Sequence, residues 1–218
     1  MTCTQLTAIL IASMMGTGCS AVEQTFKDKP ELLKFATRNP FAAAAIGRDD
    51  GSRNITSSVI RFSKRLGLDN SKNGDGRGTQ ENALRHSLWQ AAIAARFGEN
   101  TAQQAGNAYE KNISNRTATE YPDRYSADEA VDLRNNAIGR RIGAAHASDT
   151  MDELARKLLQ EYHQHGLWLS APVKEQGKTI WKISLQTLSA EQYENALNKL
   201  KQLDSYGMTA KERAKIKK

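Results

Sequence analysis

The sequence predicts a mainly α protein: a single multi-helix domain with one small β-hairpin near the C-terminus. Three observations carry this. Apolar residues recur at spacings of three and four between proline or polar starts and glycine stops along most of the chain. Period two appears in one region only, near 167–185. The length, 218 residues, suits one domain with a real core.

The elements follow in order. Pro30 opens a helix of good formers through Ala36, and Asn39-Pro40 opens a second, Ala-rich one that stops near Gly47. Asn54 caps a helix over 55–66, where Ile55, Val59, Phe62 and Leu66 form the apolar stripe, and Gly67 ends it. The stretch 69–78, DNSKNGDGRG, is turn chemistry. Thr79 then caps the longest helix, with Leu84, Leu88, Ala91 and Ala95 on one side and Gly98 as its stop. A helix over about 101–111, a polar loop over 112–126, a helix over 128–147 and another over 151–163 come next. Leu167-Trp168-Leu169 and 179–185 flank the turn-rich 174–178 and predict the hairpin. Ser189 or Ala190 begins a last helix through Leu203, which Gly207 breaks.

Composition narrows the class. A charged fraction of 25% with 15 Gly and 4 Pro, and a mean hydropathy of −0.62, exclude a multi-span membrane protein, a collagen-like chain and a low-complexity one. Both cysteines, Cys3 and Cys19, lie in the first nineteen residues, so the rest of the chain can hold neither a disulfide framework nor a Cys-based zinc site. The net charge is +7. Lys211, Arg213, Lys215, Lys217 and Lys218 against Glu212 place +4 of it in 208–218, which leaves 7 − 4 = +3 for the remainder. That balance argues against a nucleic-acid-binding stripe on the body and makes 208–218 a basic, solvated tail.

Residues 1–22 contain no Asp, Glu, Lys or Arg, and 6–16 form an apolar run of signal-peptide length, too short to span a bilayer. The run ends in Gly16-Thr17-Gly18-Cys19-Ser20, which resembles the lipobox of bacterial lipoproteins. The resemblance implies a signal peptide over 1–18, acylation of Cys19 and a tether over 19–30, followed by the helical domain over 31–207. Ser20 after the cysteine implies sorting to the outer membrane, facing the periplasm.

Chemistry-bearing residues concentrate in three segments. Glu81-Asn82-Ala83-Leu84-Arg85-His86-Ser87-Leu88-Trp89 puts Asn82, His86 and Trp89 on one helix face, with Arg85 beside them. Gly106 to Glu110 is the second. In the third, Asp132, Asn136 and Arg140 follow at offsets of four, so a carboxylate, an amide and a guanidinium line one stripe, while Gly139 and Gly143 permit close approach. The pieces ENALRHSLWQA, FGENTAQQAGNAYE and VDLRNNAIGRRIG resemble an uncharacterised family of bacterial secreted and phage-borne helical domains, some toxin-associated. Its pattern is Asn-Ala-x-Arg-His-x-x-Trp, then Ala-His-Glu, then Asp-x-x-Asn-Asn-x-x-Gly-Arg. The resemblance marks Asn82, Arg85, His86, Trp89, Glu110, Asp132, Asn135, Asn136, Gly139 and Arg140; Tyr109 stands where the pattern has His.

These residue types allow two readings. His86 with Glu110 or Asp132 as orienter is a general acid/base set, with Asn82, Arg85, Trp89, Asn135, Asn136 and Arg140 as substrate-binding groups that could hold an anion. That set suits hydrolysis of an envelope glycan, lipid or phosphoester. Alternatively, the same residues form a satisfied structural network in a non-catalytic envelope binding or scaffold lipoprotein. No cofactor or metal is expected. Asp69, Ser71, Asn73, Gly74 and Asp75 resemble the front of a calcium loop, but Gln80 occupies the twelfth position, so the segment reads as a turn. The active-site reading requires His86 to reach Glu110, Asp132 or an Asn amide.

Overall fold

The computed structural model describes residues 30–69, 76–109 and 117–216. Cys19, the leader and tether, most of the calcium-like loop and Glu110 lie outside the described residues. The fold is mainly α, with a small three-stranded antiparallel sheet in the C-terminal half. The helices are α1 Pro30–Arg38, α2 Pro40–Ile46, α3 Ile55–Arg65, α4 Gln80–Phe97, α5 Glu99–Tyr109, α6 Arg124–Ala145, α7 Met151–Gln164, α8 Ala190–Leu200 and α9 Ala210–Ile216. None among the described residues is long and apolar enough to cross a membrane. Caps fall where the side-chain chemistry asks for them: Asn54 accepts from the Ser57 amide, Thr79 from Asn82, and Ser189 with Gln192 closes a capping box.

Helix α4 is the axis. Its buried residues lie all round it, and α3, α5, α6, α7 and β2 surround it. Leu84, Leu88 and Ile93 join Phe62 and Leu66 of α3 and Leu154, Leu158 and Leu159 of α7 in the main core. The partner on the remaining side is α6, which comes close enough for backbones to touch. A Cβ on Gly139 would stand 2.8 Å from the Cα of Ser87, and one on Gly143 would stand 2.7 Å from that of Ala91. Only hydrogen at those two positions permits the approach.

The sheet lies on the other flank of α6. Strands β2 (Leu167–Glu175) and β3 (Lys178–Gln186) form the expected hairpin, longer than the apolar runs suggest, turning at Gln176-Gly177 with positive φ at both residues. A third strand, β1 (Glu120–Tyr121), adds to the outer edge of β3 within the segment expected to be loop. It brings Tyr121 into a second, smaller core with Ala127, Ala130, Val131 and Ile183. α6 starts at Arg124, earlier than its apolar residues indicate, because Asp123 caps it through the Ser126 amide.

The expected solvated tail is corrected. Met208 is buried, and α9 docks on α3. Arg65 donates to the Gly207 carbonyl and pairs with Glu212 at 2.6 Å, while Arg61 Nε donates to the Tyr206 carbonyl at 2.8 Å. Hydrogen bonds from Thr209, and then Arg65, hold the Glu212 carboxyl down to about 2. Composition reads only the charges of this segment; the arginine donors that fix it come from α3, more than 140 residues away. Removing 208–218 should therefore lower the melting temperature by several degrees, since burial of one Met side chain contributes about 1.5–3 kcal/mol. A thermal melt within one degree of the full chain would contradict the docking.

Candidate functional site

The close approach of α4 and α6 sets two polar ladders face to face. On α4 the rungs are Asn82, His86 and Gln90; on α6 they are Asp128, Asp132, Asn136 and Arg140, each four residues from the last and so on one stripe. Asn82 Nδ2 donates to Asp132 Oδ1 at 2.8 Å and to Asp128 Oδ1 at 3.3 Å. His86 Nε2 lies 3.3 Å from Asp132 Oδ2. Arg140 Nη1 donates to Gln90 Oε1 at 3.2 Å. At the outer end Arg77 Nη1 donates to Asp128 Oδ2 at 2.8 Å, and Arg85 donates to Asn82 Oδ1.

The ladder is almost dry. Asn82, Gln90, Asp132 and Asn136 are buried, and the His86 side chain keeps 14% of its surface. Burial pushes the His86 imidazole down to about 3, helped by the positive charge of Arg85 and, to a smaller degree, Arg77, while the neighbouring Asn136 amide favours the charged form. Neutral at pH 7 with its proton on Nε2, which faces Asp132 Oδ2 at 3.3 Å, His86 keeps a lone pair on Nδ1. Burial also raises the Asp128 carboxyl, against the pull of Arg77.

The ladder is not fully closed. Gln90 Nε2 and Asn136 Oδ1 are buried and have no hydrogen-bond partner among the described residues. Both side chains lie against Gly106 of α5, whose Cβ would stand 2.6 Å from Gln90 Nε2 and 3.6 Å from Asn136 Nδ2. Leaving such groups unmet costs about 1–3 kcal/mol each.

The structure thus brings together six of the residues singled out in the sequence: Asn82, Arg85, His86, Asp132, Asn136 and Arg140. It places two elsewhere. Asn135, one residue from Asn136 and so on another helix face, clamps β2: its Nδ2 donates to the Trp168 carbonyl and its Oδ1 accepts from the Trp168 amide, both at 2.9 Å. Trp89 turns toward α3, donating to Thr56 Oγ1 at 3.1 Å, with its ring 6.0 Å from that of Tyr109. Sequence reasoning missed Asp128, Gln90 and Arg77. The first two carry the offset of four one step beyond Asp132 and His86, a signal that was present in the spacing. Among the described residues no three His, Cys, Asp or Glu side chains gather as a metal-binding group.

The depressed His86 pKa has a consequence for stability. Between its ordinary value of 6.5 and about 3, the unfolded imidazole binds a proton that the folded one refuses. Stability therefore falls as pH falls through that window, by at most about 1.4 kcal/mol per pH unit from this group. Urea midpoints measured between about pH 6.5 and pH 4.5 should drop more steeply for the wild type than for His86→Gln; parallel slopes would show that the folded imidazole titrates normally.

No curated protein and no solved structure matches the chain. A family model, that of a domain of unknown function (DUF6973), matches residues 53–166. The match runs from the turn before α3 to the end of α7 and contains both ladders, but leaves out α1, α2, the hairpin, α8 and α9. Because the match covers more than half of the 218 residues, the chain belongs to the family of this domain of unknown function.

Proposed function

We propose that the chain is an exported bacterial lipoprotein, anchored through Cys19 in the outer membrane and facing the periplasm, whose α4–α6 ladder hydrolyses an envelope substrate. The observation that carries the hydrolytic reading is the oriented His86–Asp132 pair beside a buried donor and a buried acceptor that have no hydrogen-bond partner among the described residues. A network kept only for helix register would be expected to close on itself. Asp132 fixes the tautomer, so Nδ1 of His86 is the nitrogen that would take a proton from water as it attacks an ester or phosphoester. In the resting site His86 is a weak base. An anionic group seated against Arg85 would cancel part of the field that depresses it, coupling substrate binding to activation.

The test is a screen of cell-wall, phospholipid and phosphoester substrates, comparing wild type with His86→Ala. Turnover by the wild type should fall at least a hundredfold in the variant. The burial and mutual bonding of Asn82, Asp128 and Asp132 favour a second reading, a non-catalytic binding or scaffold lipoprotein. Absence of turnover on every class, with His86→Ala losing only stability, would favour that reading.

A further inference from the structure

The first helices of the described chain carry apolar surface that none of the described residues covers. Phe41, at the start of α2, is 81% exposed, and Leu33 of α1 is 43% exposed. The buried side of the same pair is already used: Phe35, Ala36, Ala42 and Ile46 face inward. An almost fully exposed phenylalanine therefore belongs to the outward side of a well-packed element.

The helix before it is weakly basic. On α1 Lys34 and Arg38 stand against Glu31, a local 2 − 1 = +1, with Lys34 paired to Glu31 at 2.6 Å and Arg38 in the last turn. Position along the chain adds a constraint. From Cys19 to Pro30 there are 30 − 19 = 11 residue steps, which reach at most about 39 Å fully extended and about 18 Å as a flexible coil. A domain held by acyl chains at Cys19 keeps α1 and α2 near the bilayer, and thermal rotation on so short a tether presents that face to lipid repeatedly.

We propose that α1 and α2 form the membrane-facing surface of the anchored protein, with Phe41 and Leu33 entering the interfacial layer of an anionic bilayer and Lys34 and Arg38 set toward its headgroups. This rests on the proposed acylation of Cys19. One aromatic side chain and a modest positive charge bind a bilayer weakly alone, but a tether converts the contact into an intramolecular one at high effective concentration. The domain is thereby oriented on the membrane instead of tumbling on its tether.

The experiment uses the acylated full chain reconstituted in phosphatidylethanolamine and phosphatidylglycerol vesicles, with a nitroxide on Phe41→Cys. In the processed protein Cys3 is gone with the leader and the Cys19 sulfur is alkylated, so residue 41 is the only free thiol. Lys201→Cys, on the exposed turn after α8, is the control. The label at 41 is expected to be relaxed more strongly by oxygen than by an aqueous nickel chelate, and the label at 201 the reverse. Equal nickel access at both positions overturns the proposal, and so does spin–spin broadening at 41 in detergent, which would mark a second copy as the occupant. Acylation is read separately by mass spectrometry of the N-terminal peptide. If it is missing, flotation of the unacylated chain with the same vesicles decides: loss of flotation in Phe41→Ser supports the surface without the anchor, and absence of flotation in the parent chain rejects it.

Discussion

Gly139→Val is expected to unfold the protein at room temperature or leave it within about 1–2 kcal/mol of doing so. The new side chain would meet the backbone of Ser87, with a Cβ 2.8 Å from its Cα, and backbone cannot rotate away as a side chain tip can. Overpacking in a deformable core costs about 1–3 kcal/mol. Here the only relief is to part α4 from α6, which would pull apart every rung of the ladder at once, in a molecule whose whole margin is about 5–15 kcal/mol. Ala144→Val, on the exposed side of the same helix, is the control for β-branching alone. Urea denaturation of the two variants reads the difference; a Gly139→Val midpoint equal to that of Ala144→Val would show that the helices do not touch there.

Asp132→Ala should be the most damaging single change within the ladder, at about 3 kcal/mol. It removes the acceptor of Asn82 and the carboxylate that faces His86, and partners stranded in a buried site carry the full desolvation penalty. A double-mutant cycle with Asn82→Ala should recover part of the loss, with a coupling of about 1–2 kcal/mol, because the stranded amide is then gone too. Strict additivity of the two changes would mean that the 2.8 Å contact contributes nothing to stability.

How far the sequence foretells these features depends on how local they are. Helix caps at Asn54, Thr79 and Ser189 were legible because the donor and acceptor lie three residues apart. The stripe of Asp132, Asn136 and Arg140 was legible because helical geometry alone aligns offsets of four. Its partner was not, since nothing in α4 says that Asn82 must meet a residue fifty positions on. The adjacent amides Asn135 and Asn136 show the limit most clearly: about 100° of helical turn sends one to β2 and the other to α4, and only the packing decides which. β1 is two residues long and exists through its pairing with Trp181 and Lys182, so no periodicity could reveal it. The docking of Met208 depends likewise on arginines of α3.

The clamp of Asn135 on Trp168 also bears on self-association. In the order β1-β3-β2, strand β2 lies at the sheet edge, where unpaired amides would template another chain. Its outward-facing backbone positions share the parity of Trp168. At Trp168 both groups are taken by Asn135; at Ser170 the amide donates to the Gly78 carbonyl at 3.0 Å. Next comes Pro172, which has no amide hydrogen to offer. Lys174, the following residue of that parity, adds a charge. Along this edge β2 presents no run of free donors, so it offers no template on which another strand could add.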